Sequence, residues 1–252
     1  MQAGKTQDAI GFMQTVLKTN PNNKDVKLMM GQLYASAGMS QNAIQSFTNL
    51  IQTNPDVIVA YQRLALEQVN AKLAVEAEKT IEQGLKIAPQ NFGLLITQAS
   101  IYEASGNYDK AISVYEKLIV DRPDSEIVVN NLAFLLLDAR TDKASFERAY
   151  QLVGKTKANQ LPQFLDTVGW ANYKVGKLDE AEAALTKAIE QMPEVAVFYY
   201  HLAKVQMAKN DNAAAKQTLQ KVIKYATNEQ SKQDMALKED ANKLLQSLPA
   251  AS

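Results

Sequence analysis

Pro21, Pro55, Pro89 and Pro123 stand 34 residues apart, and the hydrophobic pattern between them repeats with the same period. A fixed period of this length in a helix-forming sequence marks helix-turn-helix units that stack, because one helix pair cannot bury its own apolar face. Function is then to be sought on a surface that the units build together.

With Pro55 at position 32 of its unit, the unit starts at Lys24 and places Gly31 at position 8, Tyr34 at 11, Gly38 at 15, Ala43 at 20, Phe47 at 24 and Leu50 at 27. The unit from Ile58 answers with Leu64, Ala65, Ala77, Ile81 and Pro89, and that from Phe92 with Ala99, Tyr102, Gly106, Ala111, Tyr115, Leu118 and Pro123. Further on, Pro162 opens a unit with Gly169, Gly176, Ala181, Leu185, Ala188 and Pro193, and Ala196 one with Tyr199, Ala203, Ala215, Leu219 and Val222. This pattern resembles the tetratricopeptide repeat (TPR) family. The resemblance implies an all-α fold, a right-handed superhelical solenoid whose concave wall is lined by the first helix of each unit, with positions 2, 5, 6, 9, 12 and 13 pointing inward.

The expected organisation is one array over residues 1–252: a partial repeat (second helix only) at 1–23, full repeats at 24–57, 58–91, 92–125, 126–161, 162–195 and 196–228, and a C-terminal capping helix at 229–248. The unit from Glu126 is irregular, because its position-20 alanine falls at Ala149 instead of residue 145; this predicts an inter-helix turn about four residues longer, around Asp138 to Phe146. Positions 8 and 20 are expected to face each other where paired helices cross, so Gly31, Ala65, Ala99, Ala133, Gly169 and Ala203 are small. Gly38, Gly106 and Gly176 fall where a left-handed residue ends the first helix. Each proline is expected to end a second helix and to suit the first turn of the next, with Asp56 and Asp124 near helix N-termini.

At the N-terminus the pattern predicts a turn near Gly4 and a helix over Thr6 to Thr19, whose Ile10, Met13, Val16 and Leu17 lack an upstream partner. The chain is therefore expected to be part of a longer array, with self-association through this helix as one outlet. At the other end Leu237, Ala241, Leu244, Leu245 and Leu248 form one stripe of a capping helix, followed by a disordered tail from Pro249 to Ser252.

The 27 basic and 27 acidic residues balance to zero and include no basic run, which argues against nucleic-acid binding through a positive field. No stretch of 18 apolar residues predicts a membrane span. Without cysteine, disulfides, thiolate metal sites and cysteine nucleophiles are excluded, and a single histidine, His201, excludes a multi-histidine zinc site. Gly4-Lys5-Thr6 lacks the upstream glycine and strand of a phosphate loop and matches positions 15–17 of the repeat. Neither a serine–histidine arrangement nor paired carboxylates stand out, so no enzyme and no cofactor is expected.

A surface remains. At the inward positions the first three full units are mixed, whereas the later ones carry Asn130, Asn131, Phe134 and Asp138, then Gln163, Asp166, Thr167, Trp170, Tyr173 and Lys174, then Tyr200, His201 and Lys204. Aromatic anchors beside amides suit a peptide groove, since rings bury much area at small entropy cost and amides satisfy an extended backbone. The expected partner-binding residues are Asn131, Phe134, Asp166, Trp170, Tyr173, Tyr200 and Lys204. Packing between adjacent first helices is the alternative for Trp170 and Tyr173, a place in the wall that for His201. Three consecutive units with the lysine and asparagine pattern that TPR domains use to grip chaperone tails are absent: before Asn131 the corresponding positions hold Ile96 and Ser100, after it Gln163 and Thr167.

The stretches Asn130-Asn131-Leu132-Ala133-Phe134, Leu165-Asp166-Thr167-Val168-Gly169-Trp170 and Tyr200-His201-Leu202-Ala203 are similar to the end of bacterial envelope TPR lipoproteins linked to exopolysaccharide production or the PEP-CTERM system. The resemblance implies a periplasmic or envelope-associated place. The expected function is a non-enzymatic scaffold binding a partner peptide or helix in the concave groove, within a larger bacterial TPR protein. The alternative is a structural spacer or self-associating assembly scaffold of such an envelope system.

Overall fold

The computed structural model describes residues 2–155, 161–227 and 231–249, and the described residues form fourteen α-helices and no strand. The chain divides into two compact units, Met1–Asp121 and Arg122–Ser252. The N-terminal unit holds α1 (Gln2–Thr19) and the pairs α2 (Lys24–Ser36) with α3 (Ser40–Thr53), α4 (Ile58–Asn70) with α5 (Ala74–Ile87), and α6 (Phe92–Ala104) with α7 (Tyr108–Asp121). The C-terminal unit holds the pairs α8 (Glu126–Asp138) with α9 (Lys143–Lys155), α10 (Pro162–Lys174) with α11 (Leu178–Gln191), and α12 (Ala196–Ala208) with α13 (Asn212–Tyr225), then α14 (Lys232–Ser247). The fold is thus all-α, built of stacked helix-turn-helix repeats. Among the described residues no helix is long and apolar enough to cross a membrane.

Second helices bury a stripe at i, i+4 and i+7: Ala43, Phe47 and Leu50 in α3, Ala111, Tyr115 and Leu118 in α7, Ala215, Leu219 and Val222 in α13. The small residue of the first helix meets the middle of that stripe. A Cβ on Gly31 would stand 2.4 Å from Phe47 Cε1, and one on Gly169 2.6 Å from Leu185 Cγ. Position 8 therefore packs chiefly on position 24, with position 20 beside it: the Ala181 carbonyl oxygen is 3.2 Å from the same point at Gly169.

Gly38, Gly106 and Gly176 adopt φ of 72°, 72° and 83°, and the same left-handed position is held by Lys72 (63°) and Asn210 (62°) in the units without glycine. In the unit from Glu126 the equivalent Arg140 is not left-handed. There the extra residues do not form a long loop. The turn between α8 and α9 has four residues instead of three, and α9 starts at Lys143, six residues before Ala149, whereas α3 starts three before Ala43. Asp142 draws the helix start upstream, accepting from Ser145 N at 2.9 Å and from Ser145 Oγ at 2.8 Å.

Two further expectations are corrected. The 34-spaced prolines Pro21, Pro55 and Pro89 lie within four-residue links, three residues ahead of the next helix; after Pro21 and Pro89 the residue two on caps that helix, Asn23 and Asn91 accepting from Val26 N (3.1 Å) and Leu94 N (3.0 Å), whereas Val57 after Pro55 makes no side-chain cap. Among the described residues Pro162 is the one proline that takes a first helical position. At the N-terminus α1 runs unbroken through Gly4, since the three residues before it are too few to nucleate a helix that a turn would connect. Ile10 of α1 is buried with Phe47 and Leu64, and Met13, Val16 and Leu17 are half-buried, while Phe12 is 71% exposed. The last helix carries the expected stripe on Ala241, with Leu237, Leu244, Leu245 and Leu248 packed against the same cluster. Its expected start at Glu229 and the tail beyond Pro249 lie outside the described residues.

Candidate functional site

In the C-terminal unit α8, α10 and α12 are the first helices, and α10 and α12 bring inward positions of consecutive repeats side by side. Asp166 (position 5) and His201 (position 6 of the next unit) meet there: His201 Nδ1 is 2.8 Å from Asp166 Oδ1, and both side chains are buried. Trp170, one turn along α10, lies between the rings of His201 (centroids 4.2 Å apart, planes 13° from parallel) and Tyr173 (4.7 Å, 9°). Offset stacking of this kind adds about 0.5–1.5 kcal/mol per pair beyond the area buried. The indole keeps 8% of its surface exposed, so it forms the floor of this face more than its rim.

The rim is made of half-buried groups. Tyr200 tilts against His201 at 60° with centroids 6.1 Å apart, and its hydroxyl donates to Asp240 Oδ2 of α14 at 3.4 Å. Burial pushes the phenol pKa of Tyr173 and Tyr200 up, and Asp240 adds to the effect at Tyr200. The Lys174 ammonium sits over two rings, 4.6 Å from the Phe146 centroid and 4.8 Å from that of Trp170. Burial holds its pKa below the usual lysine range, with Lys204 adding and Asp138 opposing.

Of the seven sequence-predicted residues, Asp166, Trp170 and Tyr173 are joined in one stack through His201, Tyr200 abuts it, and Lys204 is near enough to act electrostatically on Lys174. Asp166 is taken into the wall, its carboxylate committed to His201. Phe134 stands 37% exposed on α8 without a ring contact to the stack, and Asn131 beside it is half-buried. His201 is a buried wall residue. Sequence reasoning missed its pairing with Asp166 and the Lys174–Phe146 contact. The first was signalled by the spacing of 35, one repeat plus one residue; the second joins α9 to α10 of the next unit, a tertiary contact that the pattern does not encode.

Among the described residues no group of three or more His, Asp or Glu could hold a metal ion. Models of the tetratricopeptide repeat match residues 25–56, 94–126 and 173–239, together just over half of the chain. The TPR repeat-containing protein PA4667 of Pseudomonas aeruginosa is 26% identical over 199 residues, covering 76% of this chain; the chain spans about a third of that protein's length, 33%. Similar solved structures include the Cut9–Hcn1 APC/C hetero-tetramer (TM-score 0.70, 16% identity, 95% of this chain and 46% of that chain). A tetratricopeptide repeat protein from Parabacteroides merdae (0.65, 16%, 91% and 94%) and PilW, a type IV pilus biogenesis factor (0.62, 22%, 75% and 86%), share the fold. On the repeat matches, the relative built of the same repeat and the stacked helix pairs, the chain belongs to the tetratricopeptide repeat family, whose members serve as protein–protein interaction scaffolds.

Proposed function

We propose that the chain is a non-enzymatic scaffold that holds an extended or helical segment of a partner protein in a groove on the α8–α10–α12 face. In this reading the repeats act as one array with the divisions given by the 34-residue period, and Asn131, Phe134, Tyr173, Tyr200 and Lys204 make the contacts. The carrying observation is the Asp166–His201–Trp170 stack, which fixes the floor beneath two half-buried tyrosines before any partner arrives. A pre-set wall removes ordering costs that binding would otherwise meet.

The test is site-specific photo-crosslinking in the native host, with a photoreactive phenylalanine at Tyr173 or at exposed Lys187 on α11. Protein adducts at Tyr173 and not at Lys187 are the expected outcome; adducts only at Lys187 would move the interaction to the second-helix side and refute the groove. A second reading, a self-associating spacer, is favoured by Phe12, 71% exposed beside half-buried Met13 and Val16. Light scattering of the wild type and Phe12→Ser tests it, a concentration-dependent dimer lost in the variant being the supporting result.

A further inference from the structure

Three lysines of the C-terminal unit that lie away from the α10–α12 face are tied to neighbours. Lys209 bonds Asp179 Oδ1 at 2.7 Å and Glu182 Oε2 at 2.6 Å, Lys243 bonds Glu239 at 2.6 Å, and Lys177 donates to the Tyr150 hydroxyl at 2.6 Å. On the face itself the pattern differs. Lys174 and Lys204 are half-buried and make neither an ion pair nor a hydrogen bond among the described residues. The carboxylates nearby are otherwise placed: Asp166 is committed to His201, Asp240 receives the Tyr200 hydroxyl, and Asp138, exposed at the end of α8, acts on Lys174 only at longer range.

The Lys174 ammonium, partly desolvated, donates no hydrogen bond in return and meets only the ring faces of Phe146 and Trp170. Half-buried Lys204 repels it, and an arriving anion relieves that repulsion while giving Lys174 an acceptor. From this geometry we infer that the face takes an acidic segment of a partner protein, with aspartate or glutamate side chains on Lys174 and Lys204 and an apolar side chain against Tyr173 and Tyr200. The inference rests on the groove reading above and specifies the chemistry of its occupant. Lysine meets a carboxylate or a phosphate alike as a point charge, and the phosphoserine arm of the experiment separates the two. The zero net charge of the chain leaves attraction to these two short-range contacts.

The experiment selects a random-peptide phage library on the intact chain, then measures synthetic peptides by calorimetry and by emission of Trp170, the only tryptophan. Expected are peptides with Asp or Glu next to an aromatic or aliphatic residue that change Trp170 emission. Lys174→Gln and Lys204→Gln should each weaken them about fivefold, with Lys187→Gln neutral and Lys174→Arg restoring affinity. Unchanged helix content by circular dichroism qualifies each variant. Peptides that change Trp170 emission but lack acidic residues, or bind the glutamine variants equally, overturn the charge assignment and leave the groove standing. Binding only after glutamate is replaced by phosphoserine overturns the carboxylate assignment. Selected peptides that leave Trp170 unaffected, or a selection without binders, overturn groove and inference together.

Discussion

The imidazole of His201 lies flat against the indole of Trp170, centroids 4.2 Å apart, and is held at Nδ1 by Asp166, one turn before Trp170 on the same helix, at 2.8 Å. Position 5 of one unit thus orients position 6 of the next, which in turn supports position 9 of the first. Asp166→Ala strands a buried imidazole and should cost about 1–3 kcal/mol in urea denaturation, with a red-shifted Trp170 emission as the ring loses its support. Native-like emission in the variant would show that the carboxylate does not position the stack.

The close approach at position 8 sets a second expectation. Gly31→Ala places a methyl 2.4 Å from Phe47 Cε1, which is fully buried, so the variant should lose about 1–3 kcal/mol by overpacking. Gly11→Ala, in α1 with nothing within 4 Å, should instead gain up to about 1 kcal/mol from helix propensity. Opposite shifts of the melting temperature check the pair.

Lys72 and Asn210 carry φ of 63° and 62° where other units have glycine. Lys72→Gly should stabilise the chain by about 0.5–1 kcal/mol, the relief of the left-handed cost less the added freedom of the unfolded glycine. Gly106→Ala should do the reverse. Equal melting of Lys72→Gly and wild type would mean that the turn does not hold its observed backbone in solution.

Glu103 on α6 is half-buried with Oε1 unpartnered, and burial raises its pKa against the opposing hydrogen bond of Tyr115. The folded state therefore holds this proton to higher pH than the unfolded state does. Stability from this group should fall as pH rises from the ordinary glutamate range through the raised folded value, then stay level. Glu103→Gln should flatten that part of a pH series of urea midpoints; an unaltered slope would assign the dependence elsewhere.

Much of this was legible in the residues. The 34-residue period placed the helix pairs, because small residues at position 8 and a stripe at 20, 24 and 27 are demanded by close helix contact wherever they recur. Gly38, Gly106 and Gly176 marked their turns for the same reason, since a left-handed backbone narrows the choice of residue. Lys72 and Asn210 were not legible, as the neighbouring structure imposes their conformation against their own preference. At the site, Trp170 and Tyr173 stood out by type, but their division into floor and rim depends on which ring His201 meets, a tertiary relation that only the offset from Asp166 hints at. The prolines misled slightly: they lie in the links, and after Pro21 and Pro89 an asparagine two residues on caps the helix start.

The early start of α9 has a consequence for how this kind of chain tolerates change. Residues added ahead of Lys143 lengthen the helix at its N-terminal end, so Ala149, Leu152 and Val153 downstream keep their inward directions whatever the number added. Three more residues extend the rod by about 4.5 Å, just ahead of Phe146, whose ring meets Lys174. Length polymorphism at this one junction would then alter the border of the interaction face while leaving the packing beneath it untouched, a way for related chains to diverge in partner choice without renegotiating their core.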